Sequence, residues 1–416
     1  MLLERGILTG RKNKIVIGFD LGDRLSQISF SRMDGGEPET LSVTEDGGVF
    51  CFPTVIGRRF GANPWVCGIE AADLAAEGRG IVLEQLVSLA RAGNGIEIDG
   101  ELFDPVALLM LFLKRSLSLP GLPAGPEQIA AVMISVDILD QRMTEVLNQA
   151  AGVLQPVPVF FQSRGESFYQ YMLHQPRELW LGQALACEHE EQRLRTYCMV
   201  CNRRTTPNVV FVEEKEYQMT ASDEAFRQIL EETCRDRTVS SAYLLGRSFE
   251  KEWYGESLRY LCRGRRVFRG NNLYSKGACF GAAEALAAGE NDRQYVFLGR
   301  DTLKANLGMK VLRGGQDSYF ALLDAGTSWF EARVQCEFYL ESGNTLSILV
   351  MPLTGRESKE VEIILHDLPK REERATRIRM ELAMESEDGV SVTLEDLGFG
   401  EIYPATHRIW HERFLL

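Results

Sequence analysis

The sequence lacks the features that would place it in a membrane or in the secretory pathway. Its longest strongly apolar run, Val106 to Leu113, is far shorter than the roughly 20 residues that a membrane-spanning helix needs. The opening residues, MLLERGILTGRKNK, have charges and glycines where a signal peptide needs an apolar segment. These absences predict a cytoplasmic protein without a membrane partner.

The sequence is also poor in positive charge and has no obvious disulfide pattern. Lys and Arg number 46 against 59 Asp and Glu, which gives a formal net charge of −13 and a pI near 5.1. Such a field repels phosphate backbones, so nucleic acid is excluded as the expected partner. The nine cysteines are scattered and odd in number, which favours free thiols in a reducing compartment.

Motifs of common enzymes are missing, and no catalytic residue is predicted. There is no G-x-S-x-G, P-loop or G-x-G-x-x-G sequence.

A predicted hairpin that turns at Glu190 to Gln192 carries four side chains with the chemistry of zinc ligands: Cys187, His189, Cys198 and Cys201. However, Cys198 and Cys201 would point to opposite faces of one strand, and no glycine bends the chain around a metal. We therefore expect two core cysteines, an exposed histidine and no metal site.

The chain is long enough for two or three domains, and its pattern changes near residue 294. Before that point, strands alternate with helices. Residues 129–140 are apolar like a strand inside a parallel sheet, and Asp104 followed by Pro105 marks the start of a helix. After it, short segments of alternating polarity predict an all-β sandwich. The predicted domains are residues 1–293 and 294–416.

The order of these segments resembles a known family. IGFDLGD, with Asp20 and Gly22, is similar to the first phosphate loop of the actin-like ATPases. LSVTEDGGVFCFPTVIGRR, AYLLGRSF and KGACFGAAEAL follow in the order found in heat-shock-70 chaperones. The resemblance implies an α/β actin-like ATPase fold of the ribonuclease H-like type, reduced and in two lobes (residues 1–180 and 181–293). It also implies a peptide-binding β-sandwich over residues 294–416, without the family's helical lid.

The resemblance also implies a nucleotide site. Asp20, Gly22 and Asp23 would contact the phosphates, and Gly246, Arg247 and Ser248 would lie on the adenosine side. The cofactor would be ATP or ADP with magnesium, and polypeptide clients or another protein would be the partner. The resemblance does not fix the oligomeric state.

Departures from the family pattern weaken the expectation of catalysis. Cys187 and Glu188 stand where the second phosphate loop would place an aspartate and glycines, and side chains there would hinder a close backbone approach to phosphate. Ser163 and Arg164 replace the glutamate that precedes a proline in the family. We therefore expect a degenerate chaperone or protein-binding module with weakened or absent ATP hydrolysis. Two alternatives stay open: a working ATPase with atypical loops, and an actin-like scaffold that assembles.

Overall fold

The computed structural model describes residues 14–33, 35–44, 47–61, 65–119, 121–123, 125–205, 207–287, 294–353 and 357–416. The segment up to Asn13, from which the absence of a signal peptide was predicted, lies outside these ranges. The chain divides into two compact units. The first consists of residues 1–201 and 212–293, and the second of residues 202–211 and 294–416. Within the described ranges, no helix combines the length and the apolar character needed to cross a membrane.

The first unit is an α/β structure. Its strands are β1 Ile15–Leu21, β2 Leu25–Arg32, β3 Glu39–Thr40, β4 Cys51–Pro53, β5 Ile56–Arg59, β6 Trp65–Cys67, β7 Gly80–Leu83, β8 Ile96–Ile98, β9 Glu101–Phe103, β10 Ile129–Val136, β11 Val159–Ser163, β12 Gln183–Glu190, β13 Arg193–Asn202, β14 Asn208–Gln218, β15 Val239–Leu245 and β16 Arg266–Arg269. Its helices are α1 Ile69–Ala76, α2 Leu86–Ala92, α3 Pro105–Ser116, α4 Gln141–Ala151, α5 Arg164–Leu173, α6 Asp223–Cys234, α7 Gly255–Leu261 and α8 Leu273–Ala287.

Two sheets of the first unit repeat one strand order. The first runs β11-β10-β1-β2-β3, with β4 also paired to β2, and the second contains β16-β15-β12-β13-β14. In the first sheet, β1 is antiparallel to β2 and parallel to β10, which is parallel to β11. In the second sheet, β12 is likewise antiparallel to β13 and parallel to β15, which is parallel to β16. The carboxyl ends of β1 and β12 therefore hold equivalent positions in their sheets.

Several local predictions are confirmed. β10 is buried along nearly its whole length because it lies between β1 and β11. Asp104 caps α3, since its Oδ1 accepts a hydrogen bond from the Val106 amide at 2.9 Å, and Pro105 is the first helical residue. β12 and β13 form the predicted hairpin, paired from Glu190 and Arg193 at the turn.

Helix α8 packs so closely on its neighbours that glycine is required at the contacts. A Cβ atom on Gly277 would lie 1.9 Å from the carbonyl oxygen of Ser167 in α5. A Cβ atom on Gly18 in β1 would lie 2.1 Å from the carbonyl oxygen of Ser275. Both distances are far inside van der Waals contact, so the backbones of β1, α5 and α8 meet directly.

The second unit contains two antiparallel sheets. Its strands are β17 Tyr295–Leu298, β18 Ala305–Arg313, β19 Gln316–Leu323, β20 Arg333–Leu340, β21 Thr345–Pro352, β22 Lys359–Ile364, β23 Thr376–Met384, β24 Gly389–Gly398 and β25 Ile409–Leu415. The orders are β19-β18-β21-β22 and β20-β23-β24-β25. Fully buried side chains from both sheets, among them Leu307, Ile348, Ile378 and Leu394, share one core. Residues 208–211 of β14 pair in parallel with β17.

A buried ion pair joins the loop before β23 to the loop before β25. Arg371 donates hydrogen bonds to both oxygens of Asp396, at 2.6 and 2.7 Å, and the Thr406 hydroxyl donates a further one at 2.7 Å. Burial raises the pKa of Asp396, but these hydrogen bonds outweigh it and hold the pKa below its usual range. The carboxylate therefore stays ionised and joins two loops of the sandwich.

The close contact of α8 yields a stability prediction. Gly277→Ala forces the backbone of α5 or α8 to move, and we expect it to lower the free energy of unfolding by about 1–3 kcal/mol. Gly152→Ala is the matched control, because a Cβ atom there meets no atom within 4 Å and the backbone is in the right-handed helical region. We expect it to be neutral or slightly stabilising. Urea denaturation of both variants measures the difference. Equal stability of the two would contradict the close packing.

Candidate functional site

Strand ends from both sheets of the first unit surround a cleft of about 530 Å³. Its wall includes Gly22 and Asp23 after β1, Asp137 after β10, and Glu188 and Glu190 at the end of β12. In α/β sheets, ligands bind outside the carboxyl ends of the strands. The volume also falls within the range of ligand pockets, roughly 300–1,000 Å³. This cleft is therefore the candidate functional site.

Arg164 and Glu188, which line the cleft, form a buried ion-pair triad with Asp20. Arg164 donates from Nε to Asp20 Oδ1 at 3.0 Å and from Nη2 to Asp20 Oδ2 at 3.3 Å. Its Nη1 donates to Glu188 Oε1 at 2.8 Å. The three side chains are only 11%, 11% and 12% exposed. One guanidinium therefore joins a carboxylate of the first sheet to a carboxylate of the second.

The local fold explains how Arg164 reaches this position. Ser163, the last residue of β11, caps α5 by accepting a hydrogen bond from the Glu166 amide at 3.3 Å. Arg164 is consequently the first residue of the helix, at the carboxyl end of its strand. The ring of Tyr274 lies under the guanidinium at 5.0 Å, and the Tyr274 hydroxyl donates to Glu188 Oε2 at 3.3 Å.

The electrostatics of the triad are those of buried carboxylates with one shared cation. Burial raises the pKa values of both Asp20 and Glu188, and Arg164 only partly offsets this effect. Burial would lower the pKa of Arg164, but attraction to Asp20 and Glu188 raises it well above its usual value. With both acids ionised, the three groups carry a formal net charge of −1. Anionic phosphates gain no attraction from such a group.

The triad does not fit the magnesium nucleotide that the family resemblance implies. Both oxygens of Asp20 already accept hydrogen bonds from Arg164, and the side chain is only 11% exposed, so the carboxylate offers little room for a hydrated cation. Glu188 is longer than an aspartate and is occupied by Arg164 and Tyr274. We therefore derive no step through magnesium or ATP at this site.

The other residues predicted to bind nucleotide are held by partners within the protein. Both oxygens of Asp23 accept from Ser88, one from its amide at 2.9 Å and one from its hydroxyl at 2.7 Å. The Gly246 amide donates to Asn271 Oδ1 at 2.8 Å. The Arg247 amide donates to Glu190 Oε1 at 2.9 Å. The amides of Gly246 and Arg247, which could have held a ribose or a phosphate, thus have internal acceptors.

The two glycines in the prediction are required for packing inside the first unit. A Cβ atom on Gly22 would lie 2.4 Å from the carbonyl oxygen of Leu25. Gly246 has φ +94°, and a Cβ atom on it would lie 2.4 Å from the carbonyl oxygen of His189. Ser248 lies in the 3-10 turn that follows, and its carbonyl oxygen accepts from the Trp253 indole at 2.7 Å.

A second cavity lies between Asp20, from the predicted phosphate side, and Gly246 and Arg247, from the predicted adenosine side. It measures about 70 Å³ and is lined by Asp20, Arg164, Gly246 and Tyr274, among others. That volume is several times smaller than a pocket for a nucleotide-sized ligand. The structure thus brings Asp20 and Gly246 to one small cavity, and Gly22 and Asp23 to the larger cleft. Arg247 lines both.

Further ion pairs connect the two sheets around the cleft. Arg24, in the turn after β1, pairs with Glu191 in the turn after β12. Asp137, after β10, pairs with Arg195 and, at 3.5 Å, with Arg193, both in β13. Arg195 is 7% exposed, so its contact is largely shielded from solvent. Together with Arg164, these pairs hold the two sheets in contact at the cleft.

The prediction that His189 is exposed is wrong. His189 is fully buried, and its ring packs against Phe249 and Trp253, with centroids at 6.0 and 5.4 Å. Its Nε2 lies 3.1 Å from the carbonyl oxygen of Met219. The sequence pattern missed this because the aromatic neighbours follow about 60 residues later in the chain. In the part of the chain that the structure describes, no cluster of three or more acidic, His or Cys side chains could hold a metal ion.

Comparison with known families shows which family the chain belongs to, but it names no activity. A profile described as "Family of unknown function (DUF5716) C-terminal" matches residues 37–300, which is more than half of the chain. The chain belongs to this family. A profile described as "Domain of unknown function (DUF8552)" matches residues 302–416. No curated protein matches the sequence.

The part of this DUF5716 member that matches the family contains Arg164 and Glu188, whereas Asp20 precedes it. In the sequence, Glu188 and Arg164 stand out only as two separate departures from the pattern that the chaperone resemblance implies. Their mutual contact, and the roles of Asp137 and Tyr274, were not predicted. One signal was present: one departure is acidic and the other is basic, and opposite charges are what an ion pair requires.

The triad yields a prediction that depends on pH. Arg164→Met leaves two buried carboxylates without a cation, and we expect a loss of about 3–5 kcal/mol in unfolding free energy at pH 7.5. Without Arg164 the folded-state pKa values of Asp20 and Glu188 rise further above their unfolded values. Folding then takes up protons, so stability falls as the pH rises and the defect shrinks at pH 5.

Arg247→Met is the control, because Arg247 lines the same cleft but is half exposed and lies 3.6 Å from Glu190. It should cost less than about 1 kcal/mol at either pH. Chemical denaturation at both pH values measures these differences. A loss for Arg164→Met as small as that of the control, and independent of pH, would contradict the electrostatic role of the triad.

Proposed function

We propose that this DUF5716 member is a heat-shock-70-like protein that binds other polypeptides and does not hydrolyse ATP. The observation that carries this proposal is the Arg164 bridge between Asp20 and Glu188. Phosphoryl transfer depends on positive groups placed around the transferring phosphate, with a metal between the phosphate oxygens. Here the most deeply buried arginine that lines the cleft, Arg164, is neutralised by two carboxylates of the protein itself.

An actin-like, ribonuclease H-like fold is part of the proposal. Its support is the repeated strand order of the two sheets, with one antiparallel and two successive parallel pairings in each. The candidate cleft lies at the carboxyl ends of equivalent strands, β1 and β12. Retention of this framework with an internally neutralised cleft is what a descendant that has lost catalysis would have.

The second unit supplies the support for polypeptide binding. It has two four-stranded antiparallel sheets, and an extended peptide can add a strand at a sheet edge, where it would compete with any other strand that pairs there. We place the protein in the cytoplasm because all nine cysteines are free thiols, as a reducing compartment requires.

A working ATPase and a polymerising scaffold are the two alternatives that an experiment must distinguish from this proposal.

The test measures nucleotide and peptide binding on the same protein. Millimolar magnesium-ATP or magnesium-ADP should leave the melting temperature unchanged, whereas a nucleotide at a hundred times its dissociation constant would add about 2.7 kcal/mol. Phosphate release should not exceed that of a blank. Fluorescence anisotropy of labelled unfolded peptides should rise with protein concentration, and ATP should not change it.

Three outcomes separate the proposal from its alternatives. A metal-dependent thermal shift with ATP but not AMP, together with peptide release by ATP, would favour a working ATPase. Polymers that grow with protein concentration and do not bind peptide would favour a scaffold. An unchanged melting temperature with peptide binding supports the proposal.

A further inference from the structure

The strand β20 forms one edge of its sheet in the second unit. Among the described strands it pairs with β23, in regular antiparallel register from Arg333 opposite Ala383 to Leu340 opposite Thr376. The pairing has no bulge over its eight residues. β20 is therefore a long and regular edge strand, the kind that can accept another strand.

The register shows which backbone groups of β20 face outward. The Met384 amide donates to the Ala332 carbonyl oxygen at 3.1 Å, so Ala332 and the even-numbered residues after it bond toward β23. The amides and carbonyls of the intervening residues then point away from the sheet. These backbone groups belong to Arg333, Gln335, Glu337 and Tyr339, whose side chains are also exposed. No described residue forms a hydrogen bond with them.

The other three edges of the sandwich have features that hinder pairing. β19 has a register shift near its carboxyl end, between the pairs Leu307–Leu323 and Gly308–Ala321. Three of the six residues of β22 are charged, and they begin at Lys359. The ammonium of Lys359 also donates to the carbonyl oxygen of Leu415, the last residue of β25, at 2.7 Å. Bulges, charged side chains and side chains bonded across the edge are common protections of edge strands. β20 has charged side chains at Arg333 and Glu337, but it has no bulge.

We propose that a second copy of this chain pairs with β20, antiparallel, about a two-fold axis at Gln335. The outward-facing residues must form the hydrogen-bonded pairs of such a ladder, so an odd-numbered residue lies opposite an odd-numbered residue. About six main-chain hydrogen bonds would join the two strands. Because the contact is isologous, it closes at a dimer and does not propagate.

The charges select this register over its neighbours. With the axis at Gln335, Arg333 of each copy lies opposite Glu337 of the other. With the axis at Glu337, two glutamates would face each other, and with the axis at Cys336 neither charge would meet its opposite. Within the described residues Arg333 has no ion-pair partner of its own, whereas Glu337 lies 3.1 Å from Arg379. The Gln335 register is thus the one that pairs Arg333.

Charge reversal tests both the strand and the register. Sedimentation of the full chain should reveal a dimer. Arg333→Glu sets glutamate against Glu337 at both pairs, and Glu337→Arg sets arginine against Arg333 at both pairs. Each variant alone should weaken dimerisation at least about tenfold. An equimolar mixture should form heterodimers with near wild-type affinity, because both cross-strand pairs are then of opposite charge.

Substitutions at the axis test the backbone ladder. Gln335→Pro removes an outward-facing amide and leaves the bonds to β23, so the chain should fold but stay monomeric. Gln335→Ala keeps the amide and should stay dimeric. Thermal melts of both check the fold.

A wild-type chain that is monomeric at every concentration would overturn the proposal. So would a dimer that Gln335→Pro and Arg333→Glu both leave intact, or charge variants that do not rescue each other when mixed. Protection of the β20 amides only on addition of another polypeptide would assign the strand to a different partner and would also overturn it.

Discussion

The first unit depends on one contact: a buried guanidinium shared by two carboxylates from different sheets. Two carboxylates at the carboxyl ends of facing strands are costly to bury without a cation. Where a metal supplies that cation, its remaining coordination positions stay available to a ligand. Here Arg164 supplies it from the start of α5, so the charges are satisfied within the chain. The cleft therefore needs no ligand for its own stability.

The sheet framework and the cleft depend on different residues. The side chains of the cleft can therefore differ while the framework stays the same. The sheets and α8 are held by apolar side chains and by glycines that allow direct backbone contact, as at Gly18 and Gly277. The cleft is built from charged side chains at strand ends and turns. Substituting those side chains alters the chemistry of the cleft and the ionic contact between the two sheets, but it leaves the apolar packing within each sheet in place.

The two units differ in where their polar groups are satisfied. In the first, the carboxylate of Asp23 and the amides of Gly246 and Arg247, which a nucleotide could have used, are bonded internally. In the second, one side of β20 presents backbone donors and acceptors that no described residue meets. An edge of backbone groups is favourable for adding a strand, and it makes few demands on the side chains of its partner. Recognition by this protein is therefore better supported at its strand edges than in its cleft.

The sequence by itself determined what depends on neighbouring residues: the apolar strand β10, the cap of α3 at Asp104 and the hairpin of β12 and β13. It also identified the places where the chain departs from the pattern that the chaperone resemblance implies. Only the tertiary structure decided that Arg164 meets Asp20, which is 144 positions away, that His189 is buried, and that β20 is an edge. The physical reason is that caps and alternation are set within a few residues, whereas the partner of a charge and the neighbour of a strand are set by which distant segments the fold brings together.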